Sequence, residues 1–267
     1  MHREMLAAVA ASPSKLTPSS LEKTFGETFK LSRAQVRRII KELVAAEELV
    51  YTYQFGCSFL EISFDRPVRI SHYVVLKPPR YSYRSFPGDV VLSMQSGASF
   101  GTGRHPTTRL AIRGIEYALS ARSLERVQPP GTVLDIGTGS GVLVLTAVKF
   151  GMRQGLGIDI DVCACAEARE NVALNGLADR IEISDQGLET IAQRFAMLTA
   201  NLRYPTLKKN ASRLDDLTLA NGILVLAGMR DDELEDLLAS YAARHFACLW
   251  QGTELGWGGV VLQKSSP

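Results

Sequence analysis

Val133-Leu134-Asp135-Ile136-Gly137-Thr138-Gly139-Ser140-Gly141 is an apolar run with one acid near its end, followed by a turn with glycine at every second position. The apolar half suits a buried parallel strand, and Val142–Phe150 behind the turn suits a helix. Glycines in such a turn accept positive φ and let a ligand approach the backbone, beside helix N–H groups that have no internal partner. The G-x-G-x-G spacing is one residue shorter than the dinucleotide pattern, and Asp135 stands two positions before the first glycine.

Outward from this turn, strand and helix patterns alternate. Thr132–Ile136, Gly155–Ile160, Arg180–Ser184, Phe195–Ala200 and Ile223–Ala227 read as strands, with helices over Val142–Phe150, Val162–Leu174, Pro205–Leu217 and Asp232–Ala243. Two last strands, Phe246–Gln251 and Gly258–Gln263, flank a glycine cluster like an antiparallel hairpin. Alternation predicts a mostly parallel, doubly wound α/β sheet. The terminal antiparallel strand favours the methyltransferase variant of that architecture over the dinucleotide-binding one.

Asp159, in Gly157-Ile158-Asp159-Ile160-Asp161, falls 22 residues after Gly137, at the end of the second strand. A carboxylate there can accept from both hydroxyls of a ribose, whether the ligand is a nicotinamide dinucleotide or another adenosyl cofactor. Asp161 suits the N-cap of the following helix. Asp185 ends the third strand, where it can accept from an adenine amine or remain a solvated loop acid.

The segment Phe100-Gly101-Thr102-Gly103-Arg104-His105-Pro106-Thr107-Thr108 now becomes informative. Together with the glycine turn, Gly157–Asp161, Glu170-Asn171-Val172-Ala173-Leu174-Asn175-Gly176 and Ala200-Asn201-Leu202, it resembles the bacterial ribosomal protein L11 methyltransferase family from Gly97 to about Lys264. The resemblance implies a doubly wound, seven-stranded class I methyltransferase (Rossmann-like) domain. It also implies S-adenosyl-L-methionine as methyl donor and methylation of protein amino groups. Carried over by position, cofactor contacts fall on Thr108, Gly137, Asp159 and Asn201, with Gly139 in the same turn. Phe100, Gly101 and His105 shape a lid over the cofactor, and Asp135 lies around its aminoacyl end. Asn201 is the candidate catalytic residue, orienting the acceptor nitrogen through its carbonyl. Two departures stand out. The family continues its asparagine as Asn-Ile-Leu-Ala, whereas this chain reads Asn201-Leu202-Arg203-Tyr204. That string also loosely resembles the Asn-Pro-Pro-Tyr motif of enzymes acting on planar nitrogens.

The second departure is the N-terminal part, where the family carries a small α/β docking module. Pro18-Ser19-Ser20-Leu21 opens one helix here, and Ser32 can cap a second with Val36, Ile39, Ile40, Leu43 and Val44 at helical spacing. Arg33, Arg37, Arg38 and Lys41 occupy its other surface, and Leu49–Tyr53 and Ser58–Ile62 flank Gly56 as a hairpin. Helices followed by a two-stranded wing predict a winged-helix-like domain, a fold that docks proteins as well as nucleic acid. Pro78-Pro79 and Pro87-Gly88 read as a linker. The expected domains are residues 1–90, a docking domain with its linker, and 91–267, the methyltransferase.

The remaining chemistry is sparse. Cys163 and Cys165 face different directions on a helix, and His2, His72, His105 and His245 show no ligand spacing, so no metal site is expected. No nucleophile, base and orienter suggest a hydrolase. Four unframed cysteines and the absence of a long apolar run point to a cytoplasmic protein with no leader and no membrane partner. Net charge is only +2, but residues 1–90 hold 13 Lys/Arg against 9 Asp/Glu while the rest is mildly acidic. The expected partner is a protein acceptor, with a ribosomal protein foremost and nucleic acid reachable through the N-terminal domain. The rival functions are an RNA or DNA methyltransferase and a cofactor-binding regulatory protein.

Overall fold

The structure, a computed structural model, describes residues 1–12, 14–54, 56–95, 97, 99–120 and 131–265. Contacts divide the chain into two units, Met1–Arg66 and Pro67–Pro267.

The first unit contains α1 (His2–Ala11), α2 (Pro18–Phe29), α3 (Arg33–Ala45), β1 (Leu49–Gln54) and β2 (Cys57–Ile62). Its helix starts follow from local chemistry. Thr17 accepts from Ser20 N (3.1 Å) ahead of Pro18. Ser32 and Gln35 cap α3 reciprocally: Ser32 Oγ accepts from Gln35 N and Gln35 Oε1 accepts from Ser32 N. Val36, Ile39, Ile40 and Leu43 bury one face of α3 against Met5, Leu21, Phe25, Leu49 and Leu60. Antiparallel β1 and β2 turn at Gly56, which has φ 77°, and Leu16 bridges to Leu60.

The second unit opens with β3 (Val68–Arg69), β4 (Val74–Lys77) and β5 (Val90–Ser93), a small sheet in which β4 pairs antiparallel to β3 and parallel to β5. The prolines at 78–79 and 87 therefore punctuate a crossover between parallel neighbours. The division falls at Arg66/Pro67, not near residue 90. Its cause is packing: Val74, Val75 and Leu76 are all buried. Lys149 Nζ donates to Val91 O, and the Asn175 side chain accepts from Ser93 N and donates to Ser93 O.

The main sheet is formed by β6 (Thr132–Ile136), β7 (Gln154–Ile158), β8 (Ile181–Ser184), β9 (Phe195–Asn201), β10 (Thr218–Arg230), β11 (Phe246–Glu254) and β12 (Trp257–Lys264). Between them run α4 (Pro106–Leu119), α5 (Val142–Lys149), α6 (Val162–Leu174), α7 (Tyr204–Lys209), α8 (Ala211–Leu217) and α9 (Leu234–Ala242), with α4 preceding β6. The strand order is β11-β12-β10-β9-β6-β7-β8. β12 runs antiparallel to both β10 and β11. Chain order reverses between β6 and β9, so the ligand crevice is expected beyond their C-terminal ends. The single helix expected over Pro205–Leu217 is two helices broken at Asn210. There the Asn210 side chain donates to Thr206 O (2.9 Å), a local bond that competes with helix propagation.

Candidate active site

The glycine turn after β6 is fixed from below and above. Gly137, Gly139 and Gly141 have φ of 67°, 53° and 80°. Gly137 N and Thr138 N both donate to Ile158 O at the end of β7 (2.9 Å each). From above, Phe100 O accepts from Ser140 N (2.9 Å). A Cβ on Gly139 would stand 2.5 Å from that same Phe100 oxygen.

The two strand-end acids have different roles. Asp135 is wholly buried. Its carboxylate accepts from Thr138 Oγ1 (2.7 Å), Thr199 Oγ1 (2.7 Å) and Val144 N (3.3 Å). It thus ties turn, neighbouring strand β9 and the start of α5 together. Burial pushes its carboxyl up to about 6, against the lowering effect of those three donors. Asp159 instead faces the cavity. Its Oδ2 accepts from Gly139 N (2.9 Å) and its Oδ1 from Asp161 N (3.0 Å), each oxygen keeping a further acceptor direction. Asp161 caps α6 by accepting from Cys163 N (2.9 Å), and it also borders the cavity.

That cavity has a volume of about 590 Å³. Gly137, Gly139, Asp159, Asn201 and Phe100 line it, as do Ile158, Ile160, Ala164, Gln186 and Leu188. Gly101, His105, Thr108, Asp135 and Asp185 do not line it. Asp185 is exposed, and its neighbour Gln186 takes the lining position because the chain turns after β8 ends at Ser184. Gly101, with φ 111°, presses against Ser140 instead.

The segment over the turn is strapped down by side chains. Asn171, fully buried on α6, accepts from Gln95 N (2.8 Å) and donates to Ser140 O (2.9 Å). Glu167 Oε2 accepts from Ser99 N (3.0 Å). Farther on, His105 caps α4: its Nδ1 accepts from Thr107 N (3.3 Å). Nδ1 also lies 2.8 Å from Thr107 Oγ1, a contact whose direction the ring tautomer sets. Burial, and then the Arg109 charge, lower the pKa of His105. The ring sits between Phe100 (5.2 Å between centroids) and Trp257 (4.9 Å, edge to face). Arg109 holds the same segment by donating to Gly103 O and Arg104 O while pairing with Glu254.

Asn201 ends β9 half-buried, and its Nδ2 donates to buried Thr108 Oγ1 on α4 (3.4 Å). With the amide nitrogen engaged by Thr108, the carbonyl oxygen has no hydrogen-bond partner among the described residues. Tyr204, three residues on, packs on the core, with its hydroxyl bonded to Asp236 and to Lys208.

Sequence reading missed Ile160, Ala164, Leu188, Leu202, Thr206 and Asn210 as lining residues. Ile160 carried the only available signal, an apolar residue between two acids. It is 89% exposed, an apolar shelf beside the cavity rather than a strand interior position.

The donor set fits S-adenosyl-L-methionine. Ile158, Ile160, Ala164 and Leu188 offer apolar walls to a purine, Asp159 a carboxylate to vicinal hydroxyls, and the glycine turn a close backbone approach.

This strand order, closed by an antiparallel β12 and carrying the glycine turn and Asp159 at the crevice, defines a class I methyltransferase fold. The family model for ribosomal protein L11 methyltransferase (PrmA) matches residues 63–265, and the chain belongs to that family. Ribosomal protein L11 methyltransferase of Geotalea daltonii is 38% identical over 180 residues, 66% of this chain and 57% of the relative. That of Desulfotalea psychrophila is 33% identical over 199 residues, 74% of this chain and 64% of the relative. The chain thus matches less than two thirds of the length of these curated relatives. The crystal structure of ribosomal protein L11 methylase from Lactobacillus delbrueckii subsp. bulgaricus superposes with a TM-score of 0.66 at 27% identity, covering 75% of this chain and 99% of that one. A methyltransferase from Pyrococcus furiosus shares the fold, with a TM-score of 0.51 at 16% identity.

Proposed function

We propose that this chain is an S-adenosylmethionine-dependent methyltransferase acting on a protein amino group, a lysine side chain or an N-terminus, with a ribosomal protein as the foremost acceptor. The observation that carries the reading is the Asn201–Thr108 pair, which engages the amide nitrogen of a cavity-lining residue, so that its carbonyl oxygen can accept from an incoming N–H donor. Membership of the ribosomal protein L11 methyltransferase family supports the acceptor class.

The bound cofactor supplies a methyl group on a positively charged sulfur, ready for direct displacement. The protein's part is to bind, orient and dehydrate. Asp159 and the glycine turn fix the adenosyl portion. Asn201 Oδ1 accepts a hydrogen from the acceptor amine, so that the nitrogen lone pair points along the axis of displacement. The amine must arrive neutral, against an ordinary lysine pKa of about 10.4. Phe100 and Leu202 add apolar lining to the cavity, which disfavours the ammonium. As the N–C bond forms and the C–S bond breaks, the positive charge passes to the acceptor nitrogen, which then loses a proton to solvent. His105 does not serve as the base, because it caps α4 and does not line the cavity.

Tyr204 favours an amine over a nucleobase. An aromatic ring at that place would have to stack on a planar acceptor. Here it is held against α9 through Asp236, and it does not line the cavity.

The test is transfer of labelled methyl from the cofactor to a ribosome-containing extract. Label released by protease and resistant to nuclease supports the reading, and nuclease-sensitive label overturns it. Asn201→Ala with normal cofactor affinity and normal turnover would remove the proposed orientation.

A further inference from the structure

One wall of the cavity has little regular structure of its own to hold it. Gln186, Gly187, Leu188 and Glu189, four consecutive residues, all line the cavity. They follow the end of β8 at Ser184, and a single 3-10 turn at Leu188–Thr190 is their only helical feature. One such turn closes few hydrogen bonds and is weak by itself. Within it, Thr190 N and Thr190 Oγ1 both donate to Gly187 O (3.1 and 2.8 Å). Leu188 O receives only a long bond from Ile191 N (3.4 Å).

Arg213, half-buried on α8, engages the carbonyls that the turn leaves open. Its Nε and Nη2 both donate to Leu188 O (3.2 and 3.1 Å). Nη2 also donates to Glu189 O (3.2 Å) and to Ile191 O. Among the described residues Arg213 has no carboxylate partner, and Asp215, two residues on, pairs with Lys264. Among the described residues, no other side chain from outside residues 184–191 bonds to this segment. A planar guanidinium can span three carbonyls of one turn, whereas an ammonium is a point charge on a flexible stem.

We propose that Arg213 is a positioning residue for cofactor binding, a clamp that holds Gln186–Glu189 in the arrangement that walls the purine end of the cavity. Arg213 does not line the cavity, so it acts through the carbonyls it holds. Leu188, whose carbonyl takes two of the bonds, offers its side chain as an apolar wall. Leu188 and Ile191 also pack on the main core, so the segment stays attached when the clamp is removed. What is lost is the single arrangement: apparent affinity falls by the fraction of chains that still hold it. The inference rests on the cofactor reading and is independent of the acceptor.

The test uses the full chain and S-adenosylhomocysteine in calorimetry, with hydrogen exchange read at residues 186–191 and at the glycine turn. Failure of the unaltered chain to bind would overturn the cofactor reading and this inference with it. Given that binding, Arg213→Ala is expected to bind about tenfold more weakly, the scale for losing hydrogen bonds from a charged donor. Amides of residues 186–191 should exchange faster in the free variant and regain protection at saturating ligand, with the glycine-turn amides and circular dichroism unchanged. Arg213→Lys, which keeps the charge without the planar fork, should recover part of the loss and bind about threefold more weakly than the unaltered chain. Where Arg213→Ala fails to fold, Arg213→Lys carries the same comparison. Unaltered affinity in either folded variant would overturn the clamp. So would weaker binding accompanied by faster exchange throughout the sheet, the mark of a general loss of stability.

Discussion

The glycine turn after β6 and the neighbouring end of β9 are built to different standards. At the glycine turn, Asp135 is held by three donors, Gly139 packs against Phe100 O, and the Ser140 backbone is held by Phe100 and Asn171, while the buried Ser140 Oγ has no hydrogen-bond partner among the described residues. At the Asn201 end, one half-buried amide rests on one hydroxyl at 3.4 Å, and Arg203 beside it is exposed. A cofactor site must present the same shape to the same ligand at every turnover. An acceptor site must admit a macromolecule's side chain and release it. Under the proposed function, a fixed turn beside an open Asn201 would follow from those different tasks.

The largest effect is expected where the rigid end is most constrained. Asp135→Ala leaves Thr138, Thr199 and Val144 N facing a void, a loss of about 3 kcal/mol in denaturant unfolding. A loss below about 1 kcal/mol would show that the turn does not depend on this carboxylate. Its titration supplies a separate test. The folded value of about 6 lies above the ordinary 3.8, so the folded state holds the proton longer than the unfolded chain. The stability due to this group is fully present below about pH 4, is lost as pH rises toward 6, and changes little above. Asp135→Asn should flatten that portion of the pH–stability curve. An identical slope in both proteins would contradict the assignment.

At the open end, Asn201→Ala should lower kcat by roughly 10²-fold while leaving cofactor affinity near normal. Single-turnover measurement at saturating cofactor decides this. Loss of affinity with unchanged turnover would move Asn201 to the cofactor side and erase the contrast. Asp159→Ala should do the opposite, weakening cofactor binding by about 2 kcal/mol in calorimetry and leaving the fold intact. The smallest effect belongs to Thr108→Val. If Thr108 acts only by holding the Asn201 amide, kcat should fall about five- to tenfold, on the scale of about 1 kcal/mol for one neutral hydrogen bond. Asn201→Ala/Thr108→Val should then be no slower than Asn201→Ala. Additive losses would mean that Thr108 has a task of its own.

The same contrast accounts for which residues were legible. Gly137, Gly139 and Asp159 announce themselves because a positive φ and a strand-end carboxylate are local requirements, written in residue type and spacing. Asp135 and Asp159 look alike in sequence, each an acid near the end of a strand. Only the fold seals one beneath the turn and turns the other outward. Asp185 and Gln186 differ by a single residue after β8, a precision that periodicity cannot supply. His105, Thr108 and Asn171 stand in recognisable motifs, yet they act by holding neighbours, as cap, prop and strap. Those partners lie up to 93 residues away along the chain, in the case of Thr108 and Asn201.

The sequence by itself determined the alternation of elements, the glycine turn, the capped α3, the terminal antiparallel hairpin and, from Gly97 to about Lys264, the family resemblance that the family match over residues 63–265 bears out. These depend on local conformational preference and on burial periodicity, which act over a few residues. Only the tertiary structure decided that β3, β4 and β5 belong to the second unit. It alone decided that Asn210 splits the helix after β9, that Asp135 supports the turn without lining the cavity, and that Tyr204 is drawn away toward Asp236. Each of those outcomes depends on which groups meet across the fold, where burial and hydrogen-bond satisfaction override the preference of any short segment.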